Sequence, residues 1–177
     1  MNISFISSTN TSPQKLDQRY LNKLINLQIN GKICWQAHLG YGQELCLEIG
    51  QKIPYSSPRL QGESKGEWQF GTRASDWSII TAGKRPCFFV KSSEDESIIR
   101  SKIEKLNNQV VKGIRIINYS PGYCYCFNLG HYDLLIPDQN NDDGLSLWEL
   151  FIPEPDRLVL EVFPHLRFQL HSQDESA

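Results

Sequence analysis

The sequence has no marked excess of either charge. Eighteen Lys and Arg stand against twenty Asp and Glu, a net charge of −2 over 177 residues. A dedicated binder of nucleic acid or of an anionic membrane needs a concentrated basic surface, so neither partner is expected. No apolar run approaches the roughly 18–20 residues that cross a bilayer. Residues 1–12 (MNISFISSTNTS) have neither a basic start nor an apolar stretch of leader length. The expected location is the cytoplasm. Five cysteines, Cys34, Cys46, Cys87, Cys124 and Cys126, make an odd count. That fits reduced thiols better than a secreted disulfide framework. Nucleotide-binding motifs are also missing. GESKGEWQFGTRASDW (62–77) carries Gly62, Gly66 and Gly71, but neither GxxxxGK with Ser or Thr nor GxGxxG. It reads as a loop feeding a hairpin.

Apolar residues make up 40% of the chain and aromatics 11%, enough for a sizeable core in one compact body. The main organising feature is an internal correspondence. GQELCLEIG (42–50) aligns with GYCYCFNLG (122–130) at an offset of 80, with Cys46 on Cys126. The same offset carries Trp68 onto Trp148, Asp76 onto Asp156 and Ile79 onto Val159. Such a repeat fixes architecture before any local detail. A helix is predicted from Ser12-Pro13 to Asn30-Gly31, with Leu16, Tyr20, Leu24 and Leu27 as its stripe. A second helix starts at a capping box of Ser93 and Glu96 and carries Ile99, Ile103 and Leu106. Alternating patterns then predict strands near 33–37, 45–49, 67–72 and 77–81. In the second half they fall near 110–118, 123–129, 146–152 and 157–163. Short segments at 3–6 and 87–91 add a strand before each helix, and 51–65 and 134–145 read as long loops.

The expected fold is α+β. Two pseudo-symmetric repeats, each a helix followed by about four antiparallel strands, would form one compact body. The first repeat covers 1–81 and the second 82–170, with 171–177 as a frayed tail.

The chemical candidates have plain structural readings. On a strand, Cys124 and Cys126 share one face while Tyr123, Tyr125 and Phe127 share the other, so the thiols fill a sheet face. A single C-x-C without a second pair does not make a zinc site, even with His38 and His131 to hand. Cys126, His131 and Asp133 lie close in sequence, but a thiol nucleophile needs contact geometry that spacing does not supply. Glu44 and Glu48 fall on one polar face. Asp142 and Asp143 sit in a QNNDDG turn that lacks the EF-hand order. No catalytic residue, cofactor or metal site is expected.

The order of a turn, an LxLxxG-like strand and a Trp-bearing strand is carried by GQELCLEIG with GEWQF and by GYCYCFNLG with LSLWEL. It resembles small uncharacterised bacterial domains, some of them grouped with immunity proteins of toxin–antitoxin loci. The resemblance implies a protein that acts by blocking a protein partner, and it carries over no functional residue. The leading expectation is a non-enzymatic protein that binds a protein partner, with self-association as one form. The alternative is a small-molecule binder or enzyme with its site in a cleft between the repeats, lined by Trp68, Arg73, Trp148 and Arg157. Anchoring the core of each half is the plainer reading of the two tryptophans, and pairing of Arg73 and Arg157 with Asp76, Asp156 or Glu154 that of the two arginines.

Overall fold

The computed structural model describes residues 14–73, 75–83, 87–119, 122–139, 144–153 and 157–172. In chain order, β1 (Gln14–Lys15) leads into a helical segment of α1 (Gln18–Leu21), a π turn (Asn22–Asn26) and α2 (Leu27–Ile29). Strands β2 (Ile33–Leu39), β3 (Leu45–Pro54), β4 (Ser64–Thr72) and β5 (Ser78–Thr81) follow. Then come β6 (Phe88–Lys91), α3 (Glu96–Ile103) and β7 (Gln109–Val110). The chain closes with β8 (Gly113–Tyr119), β9 (Gly122–Leu129), β10 (Tyr132–Pro137), β11 (Trp148–Ile152), β12 (Leu158–Phe163) and β13 (Arg167–Ser172). The fold class is α+β with two antiparallel sheets. One has the order β1-β13-β12-β11-β4-β3-β2-β7, the other β6-β5-β10-β9-β8.

Each half contributes a meander of three strands, β2-β3-β4 and β8-β9-β10, and sends its next strand to the other sheet. β5 pairs with β10, and β11 pairs with β4. The helices cross in the same way. The first helical segment packs on β8, and α3 packs on β2. The connectors meet antiparallel, with Gly31 N–H donating to Val111 O at 2.8 Å and Val111 N–H to Lys32 O at 2.8 Å. Neither half can bury its apolar faces without the other, and the buried residues form one core.

That core lies between the sheets. Strand alternation turns Leu45, Leu47, Phe70, Trp148 and Leu160 inward from one side, and Tyr125, Phe127 and Leu134 from the other. Phe70 and Phe127 meet at 4.8 Å between ring centroids, and Tyr125 stands edge-on to Trp148 at 5.5 Å. Such pairs contribute about 0.5–1.5 kcal/mol each beyond the area they bury.

Several expectations change. The constant offset of 80 does not describe the placement of the strands. Cys46 and Cys126 lie in different sheets, but Trp68 and Trp148 lie on adjacent strands of one sheet. The first helix is capped by Asp17, whose carboxylate accepts from Tyr20 N–H at 2.7 Å. The π turn rotates its buried face, so Ile25 and Ile29 enter the core and Leu27 is 80% exposed. Asp95, rather than the Ser93–Glu96 box, caps α3. The segment 62–77 is largely strand β4, and the loop before it shortens to 55–63 because β3 runs on to Pro54. Residues 134–145 are not one loop, since β10 follows β9 after a Gly130-His131 turn. His171 and Ser172 belong to β13 rather than to a tail. Ser12, Pro13, the strand at 3–6, Asp142, Asp143, Glu154 and Asp156 lie outside the described residues.

Candidate functional site

The outer face of the eight-stranded sheet carries a polar cluster of Glu44, Arg73, Glu149 and Glu161. Its placement follows from register. Cys46 pairs with Gly71, Gly71 with Glu149, and Glu149 with Glu161. These four positions cross four strands in one line. Gly71 has no side chain, which leaves room over the middle of the line. The Glu149 side chain lies over Gly71, its Cγ 3.7 Å from where a Cβ would stand, and Arg73, just past the end of β4, reaches that carboxylate. Its guanidinium donates to Glu149 and, at 3.0 Å, to Glu44. Burial works against the Arg73 charge, but Glu149 and then Glu44 outweigh it, and its pKa is raised. Glu149 is only 8% exposed, and Arg73 is its ion-pair partner. Glu161 faces His171 at 3.6 Å.

Glu48, two residues beyond Cys46 on the same face, is also nearly buried. One oxygen accepts from Gly66 N–H and the other from Gln69 Nε2 at 3.1 Å. Gly66 is fixed by close approach, since a Cβ there would lie 2.5 Å from Ile49 N and 2.6 Å from Trp68 O. Glu48 therefore ties the bulge of β3 to β4 and is a structural group.

Above Arg73 opens a cleft of about 490 Å³. Glu44, Arg73, Glu149 and Glu161 form its floor, and Tyr41 and Leu145 its rim. Tyr41 is 96% exposed and Leu145 56%. Two exposed large apolar side chains thus stand beside three carboxylates, of which Glu44 and Glu149 share Arg73 and Glu161 faces His171. The cleft can receive a cationic group below and apolar contact above. Burial and then Glu44 push the thiol pKa of Cys46 beside it up despite Arg73, which works against a thiolate there.

The four residues expected to line a cleft do not converge. Trp68 and Trp148 are buried in the core, and among the described residues no hydrogen-bond partner meets either indole N–H. Arg157 precedes β12, at the end of the β11–β12 hairpin opposite Arg73. Arg73 pairs with Glu44 and Glu149, not with the aspartates near it in sequence. Asp76 instead accepts from Gln139 Nε2 at 2.9 Å.

The thiols fill sheet positions. Cys124 and Cys126 are buried on the outer face of the five-stranded sheet. Burial, then Asp133, pushes Cys126 up to about 12. Its neighbour is Arg115, 3.4 Å from its sulfur, and not His131. Asp133 accepts from Asn128 Nδ2 at 2.6 Å, and exposed His131 offers its carbonyl to Ala82. Among the described residues no three His, Cys, Asp or Glu side chains are grouped to hold a metal ion.

Tyr41, Leu145, Glu149 and Glu161 escaped the sequence reading. Only Tyr41 carried a local signal, an aromatic set between two glycines with no apolar neighbour to pack on. No described helix is long and apolar enough to cross a membrane. Comparison with protein-family models, curated proteins and solved structures finds no match to this chain.

Proposed function

We propose that the chain is a non-enzymatic protein that binds a protein partner through the Tyr41–Arg73–Glu149 cleft. The observation that carries this reading is the pairing of Tyr41 and Leu145, both exposed, with the floor of Glu44, Arg73, Glu149 and Glu161. Exposed aromatics beside desolvated charge are the usual anchors of protein interfaces. Three carboxylates against one guanidinium favour a partner that presents Lys or Arg. Immunity-type blocking of a basic toxin surface is the sharpest form of the proposal.

The finer architecture belongs to the same reading. We regard the halves as two copies of one αββββ unit that exchange their fourth strand and their helix. The reciprocal pairing of β5 with β10 and of β11 with β4 supports this, as do the crossed helix contacts. Five free cysteines, three of them buried, fit a reducing compartment such as the cytoplasm.

The test is gentle purification from the natural host followed by native mass spectrometry, with wild type beside Tyr41→Ala/Leu145→Ser. Both substitutions lie on the surface, so the fold should be kept. A partner of fixed mass on the wild type and its loss from the variant is the expected result. An equal complement of bound mass on both would refute the cleft as the binding site.

A further inference from the structure

The two sheets end in four strands among the described residues. β1 and β7 have two residues each and β6 has four, but β8 has seven. A long open edge invites pairing with another chain, so its protection matters. Half of the β8 edge is protected by side chains that imitate a strand. Asn26 Oδ1 accepts from Ile114 N–H at 2.7 Å while its Nδ2 donates to Ile114 O at 2.9 Å. Gln18 continues the imitation, donating to Ile114 O at 3.0 Å and accepting from Ile116 N–H at 2.8 Å. Asn22 holds both amides in line, its Oδ1 accepting from Gln18 at 2.9 Å and from Asn26 at 2.7 Å. The π turn occupies this stretch of the helix.

The imitation stops at Ile116 N–H. Antiparallel alternation points the Ile116 carbonyl and both backbone groups of Asn118 the same way, outward from β9. No described residue bonds to them. A groove of about 520 Å³ follows this edge, lined by Gln18, Asn22, Arg115, Ile116, Ile117 and Asn118. It shares Gln18 and Ile116 with a second hollow of about 320 Å³ that reaches Lys15. The open hydrogen-bonding capacity at the two ends is cationic. The Arg115 side chain is 58% exposed and Lys15 is exposed. Asp17 is taken up on the helix cap, and Asp133, which accepts from Asn128, lies 3.7 Å from the Arg115 guanidinium and leaves it mostly open to solvent.

We propose that the half of the β8 edge that no described residue pairs, Ile116–Asn118, adds one strand from an extended acidic segment of a partner protein, seated in the groove against the first helix. Three backbone hydrogen bonds are on offer, from Ile116 O, Asn118 N–H and Asn118 O. Main-chain pairing gives the affinity, and Arg115 and Lys15 select acidic side chains beside it. This surface is separate from the Tyr41 cleft and does not depend on it.

The test uses the full chain and three fluorescent peptides in anisotropy titrations. They are Glu-Val-Thr-Val-Glu-Val, the same peptide with Lys for Glu, and the Glu peptide with alternate backbone nitrogens methylated. The Glu peptide should bind best and the methylated one least. Asn118→Pro removes an outward N–H without touching the β8–β9 ladder, which an edge strand tolerates. It should weaken binding about tenfold, the loss of one or two hydrogen bonds. Arg115→Gln should erase the preference for Glu over Lys. Amide exchange at Asn118 in the wild type gives a readout that needs no variant, and the Glu peptide should slow it. Equal binding of the methylated peptide, unchanged exchange at Asn118, no binding up to about 1 mM, or dimerisation through β8 would each overturn the proposal.

Discussion

The outer faces of the two sheets carry the same three-part chemistry with different surroundings. On the eight-stranded sheet Cys46 sits near Arg73 and Glu44; on the five-stranded sheet Cys126 sits near Arg115 and Asp133. In both, burial and a carboxylate raise the thiol pKa and an arginine partly offsets them. The difference lies in what surrounds the arginine. Arg73 is held by two carboxylates, one of them nearly buried, under a cleft with Tyr41 at its mouth. Arg115 reaches Asp133 only at 3.7 Å and points mostly to solvent. The cysteines that draw the eye in the sequence are therefore common ground, and the loops set the two faces apart.

The comparison breaks most completely if the sheets separate. Phe70 joins them through Phe127 and braces Trp148 beside it in its own sheet, so Phe70→Ala should cost about 3–5 kcal/mol in urea unfolding and loosen both faces at once. A loss under about 1 kcal/mol would mean that the inter-sheet core is not the shared support.

Alkaline pH probes the thiols. Burial holds Cys34 and Cys126 up to about 12 and Cys124 up to about 11, against an ordinary 9. A raised thiol pKa keeps the folded state protonated while the unfolded chain ionises. The contribution is whole below pH 9 and is lost as pH rises toward 12, at about 1 kcal/mol per thiol by pH 10. Denaturant midpoints should fall across that window. A flat profile from 9 to 11 would contradict the burial of these sulfurs.

The two arginines then separate. Arg73→Ala strands Glu149 and should cost about 1–3 kcal/mol, below the figure for a fully buried pair because the Arg73 side chain is 40% exposed. Glu149→Gln in that background should restore part of the loss. Arg115→Ala should cost under about 1 kcal/mol, as exposed pairs do. Equal costs would erase the distinction drawn between the faces.

The sequence made most strands legible, because β2, β3, β9 and β12 are short runs rich in apolar and aromatic residues, with period-two stretches such as Leu45, Leu47 and Ile49. It hid β10, where YDLLIP runs into Pro137 and an Asn/Asp-rich stretch that reads as loop. It hid the face of the first helix, because a π turn shifts the buried residues without changing the spacing of leucines. Trp68 and Trp148 were readable as core anchors, as was the polar face of Glu44 and Glu48. The cleft was not readable. Arg73 meets Glu149 only because β11 crosses to lie beside β4, 76 residues along the chain. No local pattern announces a strand exchanged between halves.

The most direct measurement is photo-crosslinking in the natural host, with a benzophenone amino acid at Tyr41 and, as control, at exposed Ile98 on α3. The account predicts one dominant crosslinked protein from position 41, with basic residues at the site of attachment, and none of it from position 98. The same product from both positions, or none from Tyr41, would contradict the claim that this cleft is where the protein meets its partner.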